Sequence, residues 1–201
     1  MSETASSPSR HLVDPELLDL LALFPAIDLN QSTLQAIRAA PPPFDLGAID
    51  PDDGVHVDKR LIPGPQGSPA VPVLIYTPPG AAPMPAILHI HGGGYISRDA
   101  EFMVPWHRRL VRQSGAVIVS VNYRLAPETK FPGAVEDCYA ALSFLHREAS
   151  RLSVDAGRIG LRGESAGGGL AAALALLARD RAEYHVRFRH LVYPMIEDRA
   201  L

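Results

Sequence analysis

Five residues around a serine, Gly163-Glu164-Ser165-Ala166-Gly167, sit between an apolar run and an alanine-rich one, and no other segment of the chain restricts its fold so tightly. Arg158-Ile159-Gly160-Leu161-Arg162 reads as a short strand, and Gly168 to Ala178 as a buried helix. A chain that passes from strand to helix this abruptly needs small residues beside the turn, because a larger side chain would block the bend. The residue at its apex, Ser165, is thereby lifted clear of the sheet. Alone the pattern is weak, since chance places a G-x-S-x-G in roughly one chain in ten of similar composition.

A second motif changes the weight of the first. His91-Gly92-Gly93-Gly94 follows the apolar run Ala86-Ile87-Leu88-His89-Ile90 directly, and chance yields that tetrapeptide in only about a few chains per thousand. Consecutive glycines let backbone N–H groups face a cavity without Cβ interference, which is what a developing oxyanion requires. Tyr123-Arg124-Leu125-Ala126-Pro127-Glu128 lies between the two motifs. Arg124 and Glu128 read as structural, a charge-assisted contact holding the loop after the strand Ala116–Val121.

The three motifs in this order resemble the hormone-sensitive lipase-like family of α/β-hydrolase esterases, over about Val55 to Asp198 of this chain. The resemblance implies an α/β-hydrolase fold: a mostly parallel sheet with helices on both faces, preceded by N-terminal cap helices. It also implies a serine carboxylesterase or lipase-type hydrolase acting on short to medium acyl esters. Carried over by position, Ser165 is the nucleophile, and the backbone N–H groups of Gly93, Gly94 and Ala166 form the oxyanion hole. His91, Gly92 and Glu164 support that loop and turn, with Glu164 standing where the family more often has aspartate. The expected partner is a small-molecule ester; no cofactor and no metal are expected.

The end of the chain departs from this pattern. In α/β-hydrolases the acid and the histidine follow the serine, and 201 − 165 = 36 residues follow Ser165. A helix from Ser165 to about Arg181 is roughly 24 Å long, which carries His185 to the far end of the sheet. His190 falls inside the next strand. Glu197 or Asp198 could stand in as the acid, but an acid without its histidine achieves little. The expectation is therefore a fragment that stops before its triad acid and histidine and is weak or inactive by itself. An open sheet edge would then favour association with another copy. The rival reading is a non-catalytic small-molecule-binding protein on the same fold. Gly167 to Ala172 also fits the dinucleotide pattern G-x-G-x-x-A, but it lies deep in the chain, behind the serine turn.

The organisation of the chain agrees with an α/β reading. Asp14-Pro15 starts an amphipathic helix with Leu17, Leu18, Leu20, Leu21 and Phe24 on its stripe, and a second helix runs from Ser32 to Ala40. Residues 1–45 form the tail and cap helices, and residues 46–201 the hydrolase core through about its sixth strand. In that core, strands at Val55–Val57, Val71–Tyr76, Ala86–Ile90, Ala116–Val121, Arg158–Leu161 and Phe188–Tyr193 alternate, from the third onward, with helices at Phe102–Gln113, Ala134–Ala149 and after Ser165. A net charge of −3 gives no electrostatic case for nucleic acid or an anionic membrane. The longest apolar stretch, Gly167 to Ala178, is too short to span a bilayer. One cysteine, Cys138, excludes an internal disulfide and suits a cytosolic protein with a buried structural thiol.

Overall fold

A computed structural model of the chain describes residues 10–22, 29–40, 47, 50, 52–80 and 83–197. The chain divides into two compact units, Met1–Asp45 and Leu46–Leu201. In the first, the Asp14 side chain accepts from the Glu16 N–H and caps a 3-10 turn, Pro15–Leu17, that continues as α1, Leu18–Ala22. The expected extension to Phe24 lies outside the described residues. Asn30 opens α2, Gln31–Ala39, through a capping box in which it and Thr33 satisfy each other's backbone N–H groups.

The second unit is built on six strands: β1 His56–Ile62, β2 Val71–Thr77, β3 Met84–Ile90, β4 Val117–Val121, β5 Val154–Glu164 and β6 Arg189–Val192. They lie in the order β1-β2-β4-β3-β5-β6. β1 pairs antiparallel with β2 and β2 antiparallel with β4, while β4, β3, β5 and β6 run parallel. Three helices link the parallel strands: α3 Val104–Ser114, α4 Gly133–Arg147 and α5 Ala166–Arg181. The strands alternate in what they present to each face, as the pleat requires. Ala86, Leu88, Ile90, Val117, Val119, Ile159 and Leu161 pack against Cys138, Leu142 and Leu145 of α4 and Leu170 and Leu174 of α5. Leu74, Tyr76 and Ile118 face the other way, onto Val111 of α3.

Two strands are longer than their apolar runs suggest. β1 extends to Ile62 because it is the outermost strand, where Asp58, Lys59 and Arg60 can stay in water while their backbones pair. β5 begins at Val154, four residues before its apolar stretch, and its register shifts against β3 between Met84 and Ala86. Inside β5, a Cβ on Gly160 would lie 2.1 Å from the Phe188 ring, so glycine is what lets that ring lie across the strand. The carboxyl ends of β3 and β5 are neighbours at the point where the order of strands reverses. α3 carries the chain from β3 to one side, and β5 lies on the other. Open α/β sheets place their sites in that crevice.

Candidate active site

β5 ends at Glu164 and α5 starts at Ala166, leaving Ser165 alone between them with φ 53 and ψ −119. That conformation costs a non-glycine residue on the order of 1–3 kcal/mol and persists only when its surroundings hold it. Here β6 and the segment after it do so. The Ser165 N–H donates to Val192 O at 3.0 Å, and its carbonyl accepts from Gly169 N and Met195 N, both at 3.0 Å. The flanking glycines are obligatory for steric reasons. A Cβ on Gly163 would lie 2.2 Å from Gly167 O, and one on Gly167 would lie 2.0 Å from Ile90 O.

The glycine run after β3 reaches the same turn. A Cβ on Gly92 would sit 2.9 Å from Glu164 O and 3.5 Å from the Ser165 Cβ, so the two motifs are in contact. Gly93 and Gly94 have φ of 118 and 63, and the Gly93 carbonyl collects the N–H groups of Ile96 and Ser97 together with the Ser97 hydroxyl. No described residue accepts from the N–H of Gly93, Gly94 or Ala166. These are unspent donors at a strained loop and at the N-terminus of α5, where helix geometry leaves the first N–H groups free.

His91 fixes the start of that loop. Its ring stacks on Tyr123 with centroids 4.3 Å apart, and its Nδ1–H donates to Gly92 O at 2.8 Å. The Tyr123 hydroxyl in turn donates to His91 O at 2.8 Å. Burial drives the His91 pKa down to about 4, so the ring is neutral at physiological pH. Glu164 points to the opposite face of the sheet. Its carboxylate accepts from His89 Nε2 at 2.9 Å and from Arg162 at 2.8 Å. Burial opposes its ionisation, yet those two partners outweigh burial and hold its pKa below the ordinary value.

No histidine supplies a base. Among the described residues, which include all eight histidines, none hydrogen-bonds to Ser165 Oγ. His190 takes a hydrogen bond from Arg162 at 2.8 Å, and the His185 carbonyl meets His146 beyond the end of α5. Glu197 is exposed, and Asp198 lies outside the described residues. The glycines of the G-x-G-x-x-A pattern leave no room for a pyrophosphate. Gly167 packs against Ile90 O, Gly168 against Pro194, and Gly169 against Met195 O and the Tyr95 hydroxyl. Among the described residues no group of histidine, cysteine and carboxylate side chains could hold a metal ion, and no helix is long and apolar enough to cross a membrane.

Sequence reasoning missed two partnerships. Asp137, beside Glu136 at the start of α4, is fully buried and gripped by Arg124. It accepts from the Arg124 backbone N–H at 2.9 Å and from Nε and an Nη at 2.8 and 2.7 Å. His89 stands within an apolar run, and its place between Leu88 and Ile90, which pack on α4 and α5, puts it on the other face of the sheet.

Comparison with known proteins follows the same geometry. Residues 87–200 match the model of a family described as alpha/beta hydrolase fold. The esterase LipI of Mycobacterium tuberculosis is 35% identical over 187 residues, which is 90% of this chain and 57% of that protein. A bacterial heroin esterase superposes with a TM-score of 0.82 at 40% identity, over 93% of this chain and 59% of that one. A hyperthermophilic esterase from Pyrobaculum calidifontis gives a TM-score of 0.71 at 34% identity, over 90% and 58%. The chain thus spans less than two thirds of the length of these relatives.

Proposed function

The chain belongs to the alpha/beta hydrolase fold family, on its hormone-sensitive lipase-like branch, and from that premise we propose that its site is the nucleophile and oxyanion part of a serine carboxylesterase. The observation that carries the reading is the contact of the glycine loop with a strained serine turn, with the N–H groups of Gly93, Gly94 and Ala166 left without protein acceptors. Ser165 Oγ attacks the carbonyl carbon of a small ester. The carbonyl oxygen takes up the negative charge and is held by those N–H groups, and the alkoxide or alcohol leaves. Water then attacks the acyl-serine and releases the acid. Each step moves a proton through a base beside Oγ. A histidine must therefore be brought there by residues other than those now packed around Ser165. His91 acts as the orienting group of the glycine loop, and Glu164 as a structural carboxylate. Short to medium acyl esters are the proposed substrates, and the single cysteine supports a cytosolic setting.

The missing base favours one second reading, a binding protein that holds esters without cleaving them. Hydrolysis of p-nitrophenyl acetate and butyrate by the 201-residue chain with imidazole added as the base, beside Ser165→Ala under the same conditions, separates the two. Turnover abolished by the substitution supports the esterase. Equal rates, with saturable binding of the butyrate ester by both proteins, favour the binding protein.

A further inference from the structure

The face of the sheet beneath α3 carries a polar row that the proposed chemistry does not use. Ser120, His89, Arg162 and His190 stand at one register level on β4, β3, β5 and β6. Hydrogen bonds run along it: Ser120 Oγ with His89 Nδ1 at 3.1 Å, His89 Nε2 with Glu164 at 2.9 Å, Arg162 with the other Glu164 oxygen at 2.8 Å, and Arg162 with His190 at 2.8 Å. The Arg162 guanidinium also lies 4.1 Å over the Trp106 ring of α3. His89 and Ser120 are fully buried, and Glu164 nearly so. A buried ionic cluster of this kind is seldom more stabilising than well-packed apolar side chains of the same volume. Its location suggests another use.

His89 is two residues before the glycine loop, and Glu164 is the residue before Ser165. The two are 75 positions apart in sequence, so only tertiary contacts set the gap between loop and serine. On the α5 side of the sheet the backbones already touch, with Gly167 against Ile90 O and Gly92 against Glu164 O. The β3–β5 ladder joins the two strands only as far as Ile90 and Gly163, and beyond it backbone contacts on one side alone leave the loop and the turn free to pivot. A hydrogen bond on the other side removes that freedom. We propose that His89 is a positioning residue: by donating from Nε2 to Glu164 it locks the oxyanion loop to the nucleophile turn and fixes the gap between the Gly93 and Gly94 N–H groups and Ser165 Oγ. The ionised carboxylate can only accept, so the proton of this bond belongs to His89. The role rests on the esterase reading of the site, but the lock itself is a mechanical property and can be measured without turnover.

The test compares the 201-residue chain with His89→Leu, which cannot donate, and His89→Gln, which keeps an N–H donor. Hydrogen exchange is followed on peptides covering residues 91–97 and 163–169, with the distant β1–β2 hairpin as reference. The lock predicts that His89→Leu accelerates exchange of both segments at least about tenfold over the reference, and that His89→Gln restores most of the protection. Phosphonylation of Ser165 by a fluorophosphonate should fall about 10- to 100-fold in His89→Leu, through the maximal rate rather than the half-saturating concentration, with partial rescue in His89→Gln. Where His89→Leu fails to fold, Glu164→Gln takes its place, since it keeps the shape and weakens the acceptor. Acceleration spread evenly over the whole chain, or confined to β3, overturns the positioning role. If Ser165 of the unmodified chain resists phosphonylation, the serine lacks its activating base in this chain, and exchange alone decides the lock.

Discussion

Adjacent acids at the start of α4 should differ several-fold in what they contribute to stability. Asp137 has no exposed surface and accepts three hydrogen bonds from Arg124, two of them from the guanidinium. Its neighbour Glu136 pairs with Arg181 at 2.7 Å, where both side chains are about a third exposed. Removing one member of a buried ion pair strands the other and costs about 3–5 kcal/mol. The Arg124 side chain retains 29% exposure, so water recovers part of that loss and the lower end, about 3 kcal/mol, applies to Asp137→Ala. For a chain of this size that lowers the melting temperature by about 6–12 °C. Glu136→Ala breaks a screened surface pair and should cost less than about 1 kcal/mol. Trp106, the single tryptophan, lies under Arg162 and reports unfolding by fluorescence in urea. The two variants should be compared at unchanged slope, so that the midpoint alone carries the difference. Equal midpoints for the two variants would refute the assignment of Arg124 and Asp137 as the clasp of the loop after β4.

Stability should also fall on mild acidification, between about pH 6.5 and 4. Burial pushes the His91 pKa from 6.5 to about 4, and burial with the nearby positive groups pushes His107 well below its ordinary value. Both histidines are therefore neutral when folded and protonated when unfolded within that window. The stabilisation is complete above pH 6.5 and is lost as pH drops toward the folded value. His91 alone accounts for about 3 kcal/mol. Urea midpoints at pH 7, 6, 5 and 4.5 that do not decline would contradict this, and His91→Asn should flatten the slope. Gly167→Ala should destabilise by about 3 kcal/mol or more, because its Cβ would meet Ile90 O at 2.0 Å. Gly67→Ala, at φ 75 with open space around it, should cost only about 1–2 kcal/mol. Equal denaturation midpoints for the two would show that sterics at the serine turn do not matter.

What was legible in the sequence was whatever backbone sterics dictate. Gly163, Gly167 and the run Gly92–Gly94 announce themselves because a Cβ at four of those five positions would fall within 3 Å of another backbone atom. The α/β alternation could be read because β3, β4 and the core of β5 are mostly apolar runs, as strands largely buried on both faces are. Side-chain partnership was not legible. Glu136 and Asp137 look alike in sequence, and only the fold shows that Arg124, thirteen residues earlier, reaches back to the second of them. His89 looked like one polar interruption in a strand. Its meaning depends on Ser120 and Arg162 lying level with it on the flanking strands, and strand register is a property of the assembled sheet.

Rigidity and reactivity are separable in this site. The serine turn is gripped from β6 by Val192, from the following segment by Met195, and from β3 by the close approach of Gly167 to Ile90. All of these contacts lie within residues 46–201, so the strained conformation of Ser165 does not depend on a catalytic base. The histidines of that unit are each committed elsewhere. His89 and His107 pack together beneath the sheet, His91 is stacked on Tyr123, His146 and His185 meet beyond the end of α5, His190 is bonded to Arg162, and His56 lies on the outermost strand. None of them hydrogen-bonds to Ser165 Oγ. Supplying a histidine from outside this set should therefore raise the reactivity of Ser165 without moving the turn. Exchange protection of residues 163–169 should then stay constant while phosphonylation accelerates. If protection and reactivity rise together, the turn is not preorganised, and the base helps to build it.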